Sequence, residues 1–124
     1  MKIISTTQAP PAIGPYSQAV EANGTLYISG QLPMDPETVE FVSDDIKEQT
    51  HQCLKNIQAI LKEAGYSLEN VVKCGIFVAD MNDFASINEV YGEYFNTHKP
   101  ARFCIEAARL PRDARVEIDA IAVK

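Results

Sequence analysis

The chain has 124 residues, enough for one domain with a core that needs no staples. A formal net charge of −6 argues against a nucleic-acid binder held by phosphate contacts, and no apolar run reaches membrane-spanning length. The three cysteines, Cys53, Cys74 and Cys104, are widely spaced with no Cys-x-x-Cys pair, which predicts reduced thiols in a cytosol-like compartment.

Lys2 to Ser5 predicts a short edge strand, its apolar run too short for a signal segment. Gln8 to Pro15 holds three prolines and predicts a rigid extended loop that delivers Tyr16 to the next strand. Asn23-Gly24 lies between the strand-like runs Ser17–Ala22 and Thr25–Ser29, a strong hairpin signal because both turn positions need positive φ. Ser29-Gly30-Gln31 ends that strand, and glycine there allows close approach of a ligand or backbone. Ser43-Asp44-Asp45 opens a helix whose apolar stripe runs Ile46, Cys53, Leu54, Ile57, Ile60, Leu61 and Ala64, with Gly65 as its stop. Val71–Val78 is apolar on both faces after Lys73, as expected of a central strand. Asn82-Asp83 starts a second helix with Phe84, Ile87, Val90, Tyr91, Tyr94 and Phe95 inward.

Two strands close the pattern. Their period-two alternation places Arg102, Cys104 and Glu106 on one face and Phe103, Ile105 and Ala107 on the other. Val116, Ile118, Ala120 and Ala122 form a core face. The opposite parity, Glu117, Asp119, Ile121 and Val123, begins acidic and ends aliphatic. The expected fold is an α+β sandwich with both helices on one face of the sheet. The other face keeps an apolar patch that a second copy should cover, so a homo-oligomer is expected.

Arg102 is the first candidate for chemistry, because a guanidinium can grip a carboxylate with two parallel hydrogen bonds. The commoner use of such an arginine is an ion pair, here with Glu106, Glu117 or Asp119. Glu117, flanked by apolar residues, could deprotonate a water if partly buried, or could be solvated or paired with an arginine. Cys104 shares the Arg102 face, but His51 and His98 are not placed as its base, so a pocket wall suits it better than a nucleophile. Cys53 and Cys74 read as packing residues. Tyr16 and Tyr27 are more often core or interface aromatics, and Ser29 is a strand-end hydroxyl that could meet a ligand. Asn88 falls one position off the inward stripe, a weak candidate whose plain reading is an exposed polar residue. Arg109, Arg112 and Arg115 form a small basic cluster around a turn, the usual mark of a solvated face. No metal-ligand spacing, phosphate loop or catalytic triad is present.

From Pro100-Ala-Arg102-Phe-Cys-Ile through Leu110 to Val116-Glu117-Ile118, the sequence resembles the Rid (YjgF/UK114) family. The resemblance extends to Ala12-Ile-Gly-Pro-Tyr16-Ser-Gln-Ala, Tyr27-Ile-Ser29-Gly30-Gln31-Leu-Pro, the Gln52–Ala64 helix, Val78-Ala-Asp-Met-Asn-Asp-Phe and Ala108-Arg-Leu-Pro, nearly the whole chain. It implies a chorismate-mutase-like homotrimer, its sheets forming a central barrel with clefts between subunits. The implied activity is cofactor-free hydrolysis of 2-iminobutanoate and 2-iminopropanoate, which pyridoxal-phosphate dehydratases shed, to 2-keto acid and ammonia. On this sequence Arg102 would hold the carboxylate and Glu117 would position the attacking water. Tyr16, Ser29, Gly30, Asn88 and Cys104 would line the pocket. A binding module without turnover, or a ribonuclease, are the alternatives. Three departures stand out: a shortened loop at Asn96–Pro100, Phe103 where a small residue is common, and Val39 in place of a turn glycine.

Overall fold

Asn23 and Gly24 both take positive φ, 51° and 75°, and turn the chain back between β2 (Ala19–Ala22) and β3 (Thr25–Gln31). The computed structural model describes residues 1–124. Before the hairpin comes β1 (Lys2–Ile4). After it come α1 (Ile46–Ala64), β4 (Val71–Val78), α2 (Phe84–Tyr94), β5 (Ala101–Glu106) and β6 (Val116–Val123). β2 starts later than the sequence suggests because the Ser17 and Gln18 carbonyls accept hydrogen bonds from Ser29, at 2.6 Å from its hydroxyl and 2.9 Å from its amide. β3 continues through Gln31.

The first helix carries the expected cap and stop. The Asp45 carboxylate accepts from the Glu48 amide at 2.9 Å, satisfying one free N–H at the start of α1. Gly65 ends it in the left-handed conformation that glycine adopts without strain. A 3-10 turn at Met81–Asp83, capped by Asp80, leads into α2.

The six strands form one mixed sheet in the order β1-β2-β3-β6-β4-β5. Only the β4–β5 pair is parallel, joined through α2; the other pairs are antiparallel. β4 therefore lies inside the sheet, as its two apolar faces predict. Leu26, Ile28, Cys74, Ile76, Val78, Val116, Ile118, Ala120 and Ala122 turn one face of the sheet toward Cys53, Leu54, Ile57, Ile60 and Leu61 of α1 and Ile87 and Val90 of α2, in one continuous core. Burying a side chain such as Leu54 or Ile57 fully is worth about 2 kcal/mol, so this face fixes the register of the strands that contribute buried residues to it.

The other face has no helix over it. It exposes Tyr27 (51%), Ile105 (48%) and Val123 (44%), with Phe103 beside them. Phe103 turns away from Arg102, as strand alternation requires, and meets Phe77 edge-on at 5.3 Å. Its ring lies over Gly75, where an added Cβ would come within 2.6 Å of it. The large side chain that departs from the family pattern thus uses space that Gly75 leaves open.

Two helical residues are not where the apolar stripe put them. Phe84 is not a core residue but a 36% exposed one: it is the first residue of α2, and its ring lies beside the Arg102 guanidinium rather than in the core. Asn88 is not an exposed polar residue: its side-chain oxygen accepts a hydrogen bond from Arg102 Nη1 at 2.8 Å.

Candidate functional site

The sequence-selected residues fall into two groups on opposite faces of the sheet. The first lies at the open-face end of β3 and β6. A β-bulge between Ile28 and Gln31 breaks the β3–β6 ladder, so Ser29 and Gly30 bow away beside Glu117. A cavity of about 460 Å³ opens there, lined by Tyr16, Ser29, Gly30, Arg112 and Glu117 together with the proline loop. Gly30 has a specific reason to be glycine. A Cβ at that position would sit 2.6 Å from Glu117 Oε2, so the missing side chain makes room for the carboxylate rather than for a backbone.

Glu117 is partly buried and forms no salt bridge with any arginine. Burial raises its pKa above the ordinary carboxylate value, and the neighbouring Asp119 charge adds to the rise. Asp119 has its own task, accepting from the Gly75 amide at 2.8 Å. Of the readings left open for Glu117, the structure removes the arginine partner.

The cavity walls are held by polar residues that sequence reasoning passed over. Gln18, only 4% exposed, donates to the carbonyls of Thr6, Ala9 and Pro10, while its oxygen accepts from the Thr6 amide at 2.7 Å. It ties the proline loop to the sheet. Asn56 donates to the Leu32 and Met34 carbonyls, and Gln49 accepts from the Arg115 amide. Their signal in the sequence is a polar side chain on the inward side of α1, where only a buried hydrogen bond makes it tolerable.

The second group lies at the edge strand β5, on the helix side. Arg102 pairs in register with Cys74, and Cys104 with Ile76. Arg102 meets none of the acids offered as ion-pair partners. Its Nη1 donates to Asn88, and its guanidinium carbon stands 4.9 Å from the Tyr91 ring centre and 5.5 Å from that of Phe84. Nε and Nη2 have no protein acceptor, which leaves the flank suited to a carboxylate free. Cys104 is half-buried. Burial raises the pKa of its thiol and Arg102 pulls it down, and the burial effect is the larger, so it is a neutral wall. His51 bonds Tyr94 at 3.0 Å and His98 bonds the Val71 carbonyl at 3.1 Å, so neither serves Cys104.

Cys53 and Cys74 are buried and all three cysteines are free. The basic cluster is committed to loop structure: Arg109 pairs Asp113 at 3.3 Å, Arg112 donates to the Val39 carbonyl at 3.1 Å, and Arg115 donates to the Asp44 carbonyl at 3.0 Å. No group of three metal-ligating side chains is present, and no helix is long and apolar enough to cross a membrane.

One chain therefore carries two separate groups: a cation at a strand edge with an open hydrogen-bonding flank, and an uncompensated acid in a cavity. The class this defines is an α+β domain with a mixed six-stranded sheet and two helices. The chain belongs to the endoribonuclease L-PSP family, whose pattern matches residues 6–124, the family also known as YjgF or Rid. It is 56% identical over 123 residues to a RutC family protein of Pyrococcus horikoshii, covering 99% of this chain and 98% of that one. It is 53% identical over 123 residues to the 2-iminobutanoate/2-iminopropanoate deaminase of Mus musculus, covering 99% and 91%. The crystal structure of Escherichia coli TdcF with bound serine superposes with a TM-score of 0.95 at 45% identity, covering 100% of this chain and 99% of that one.

Proposed function

We propose that the protein hydrolyses small 2-imino acids, 2-iminobutanoate and 2-iminopropanoate, to the 2-keto acid and ammonia, at sites completed between neighbouring copies. The observation that carries this is the pairing of a free guanidinium flank at Arg102 with a desolvated, unpaired Glu117. The identity with a mammalian protein named for this activity, over nearly its whole length, supports it. So does serine in a neighbouring structure, a small ligand with an α-carboxylate.

Arg102 and Glu117 stand on opposite faces of one sheet, so a single chain does not bring them to one ligand. The exposed apolar face at Tyr27, Ile105 and Val123 suits burial against further copies. In a homotrimer with a barrel of sheets, Arg102, Cys104 and Asn88 of one copy meet Tyr16, Ser29, Gly30 and Glu117 of the next.

Arg102 holds the substrate carboxylate through Nε and Nη2. This fixes the imine carbon, which is already electrophilic, beside a water on Glu117. Glu117 takes a proton from that water as its oxygen bonds to carbon and passes that proton to the imine nitrogen, returning to the carboxylate. The resulting carbinolamine collapses: the hydroxyl proton passes by way of Glu117 to nitrogen, the C–N bond breaks, and ammonia leaves. A carboxylate with a raised pKa suits both proton steps. Tyr16, Ser29, Gly30, Asn88 and Cys104 shape the pocket. No cofactor takes part in this scheme. Such imines arise from pyridoxal-phosphate dehydratases in a reducing, cytoplasmic compartment, which suits three free thiols.

The test is a threonine dehydratase reaction run with semicarbazide. Added protein should suppress semicarbazone formation from 2-iminobutanoate, and Arg102→Ala should not. If wild type leaves the trace unchanged with every imino acid tried, turnover is wrong and a binding module takes its place. RNA cleavage that survives Arg102→Ala and purification to constant specific activity would favour the family's ribonuclease description instead.

A further inference from the structure

Phe84, Asn88 and Tyr91 are spaced i, i+4 and i+7 on α2, so they form one stripe down a single side of that helix. Arg102 on the adjacent strand lies along this stripe. Asn88 takes Nη1, while the two rings stand within cation–π range of the guanidinium carbon. Building from the elements, this contact is not an accident of core packing. Phe84 is 36% exposed at the start of the helix, where a polar residue would be equally soluble, and Tyr91 is only 8% exposed. The Tyr91 hydroxyl is buried beside the Cys74 thiol, while its ring faces the Arg102 guanidinium.

An arginine on an edge strand has many rotamers, and one hydrogen bond through Nη1 leaves the guanidinium plane free to turn about that bond. Two ring contacts at the same centre remove that freedom. The nitrogens left over, Nε and Nη2, are the parallel pair that a carboxylate meets bidentately. We propose that Phe84 and Tyr91 are positioning residues for carboxylate recognition, holding Arg102 so that its free flank is set before the ligand arrives. This rests on the reading of Arg102 as the carboxylate clamp.

The test uses the full chain, with 2-oxobutanoate binding by calorimetry, kcat and KM from the semicarbazide assay, and Tm. Phe84→Leu keeps apolar bulk but removes the π face. It should raise both Kd and KM about fivefold with kcat within about twofold of wild type. Phe84→Tyr should restore both. Tyr91→Phe, which keeps the ring, should bind as wild type. Phe84→Leu binding as tightly as wild type, while Arg102→Ala does not bind, would overturn the proposal and leave the clamp intact. A lowered Tm with kcat and KM moving together would assign Phe84 a structural role only, and also overturn it. Arg102→Ala binding 2-oxobutanoate like wild type would remove the clamp itself and the proposal with it.

Discussion

The α2–β5 corner and the β3–β6 cavity prepare opposite charges by opposite means. At the corner a guanidinium keeps its charge near solvent, and the protein works on its direction, through an amide oxygen and two rings. In the cavity the protein works on the proton affinity of a carboxylate, through burial and a neighbouring acid. The difference follows from the side chains. Arginine remains charged at any physiological pH, so only orientation can be tuned, whereas a carboxylate responds to desolvation.

Removing either charge should break the comparison most severely. On the proposed reading Arg102→Ala would delete two charge-assisted hydrogen bonds to substrate, and it should lower kcat/KM by about 100-fold or more, measured by semicarbazone suppression. Glu117→Gln should lower kcat by about 100-fold with a smaller change in KM, as expected for loss of a general base. The same substitution sharpens the contrast through pH. The folded state holds the Glu117 proton more tightly than the unfolded chain does, so the group destabilises the fold as pH rises through its ordinary value of 4.5 and its higher folded pKa. Glu117→Gln should therefore raise Tm at pH 7, and the gain should vanish below about pH 4. No such pH-dependent gain is expected from Arg102→Ala.

Gly30→Ala comes next in size. Its Cβ displaces the end of a flexible side chain, not backbone, so the fold should survive. The carboxylate moves, and kcat should fall about tenfold while Tm changes by only a few degrees. The smallest effect lies outside both groups. Val39 has φ of 58°, a strained conformation for a β-branched residue, and its carbonyl accepts from Arg112. Val39→Gly should stabilise the fold by about 1 kcal/mol, raising Tm by roughly 4 °C, with turnover unchanged.

Much of this was legible in the residues. Asn23-Gly24 fixed a hairpin, the stripe from Ile46 to Ala64 fixed a helix, and strand alternation put Arg102 and Phe103 on opposite faces. These signals are local, and periodicity reads them directly. The links across the chain were not legible. Nothing near Asn88 says that it meets a residue fourteen positions on, and an apolar stripe drew Phe84 into the core because stripe membership does not show that the first residue of a helix can face an arginine on a neighbouring strand. Gln18, Gln49 and Asn56 were passed over for a related reason. A buried amide is paired by loop carbonyls whose positions only the folded chain defines. The proline at 111 was seen as a turn, but Arg112 and Asp113, both at positive φ, carry no glycine or asparagine to announce it.

The order of strands also has a consequence for how the protein is made. β6 lies at the middle of the sheet, between β3 and β4, although it follows both in the chain, and Thr25 pairs with Val123. On a ribosome, β3 and β4 emerge with open hydrogen-bonding edges that stay unsatisfied until residues 116–123 clear the exit tunnel. Of the sheet, only the β1–β2–β3 meander and the β4–α2–β5 unit can form before then. The nascent chain is exposed to edge-to-edge pairing with other chains for most of its synthesis. Pausing translation just before Val116 should lengthen that interval and raise the yield of aggregate.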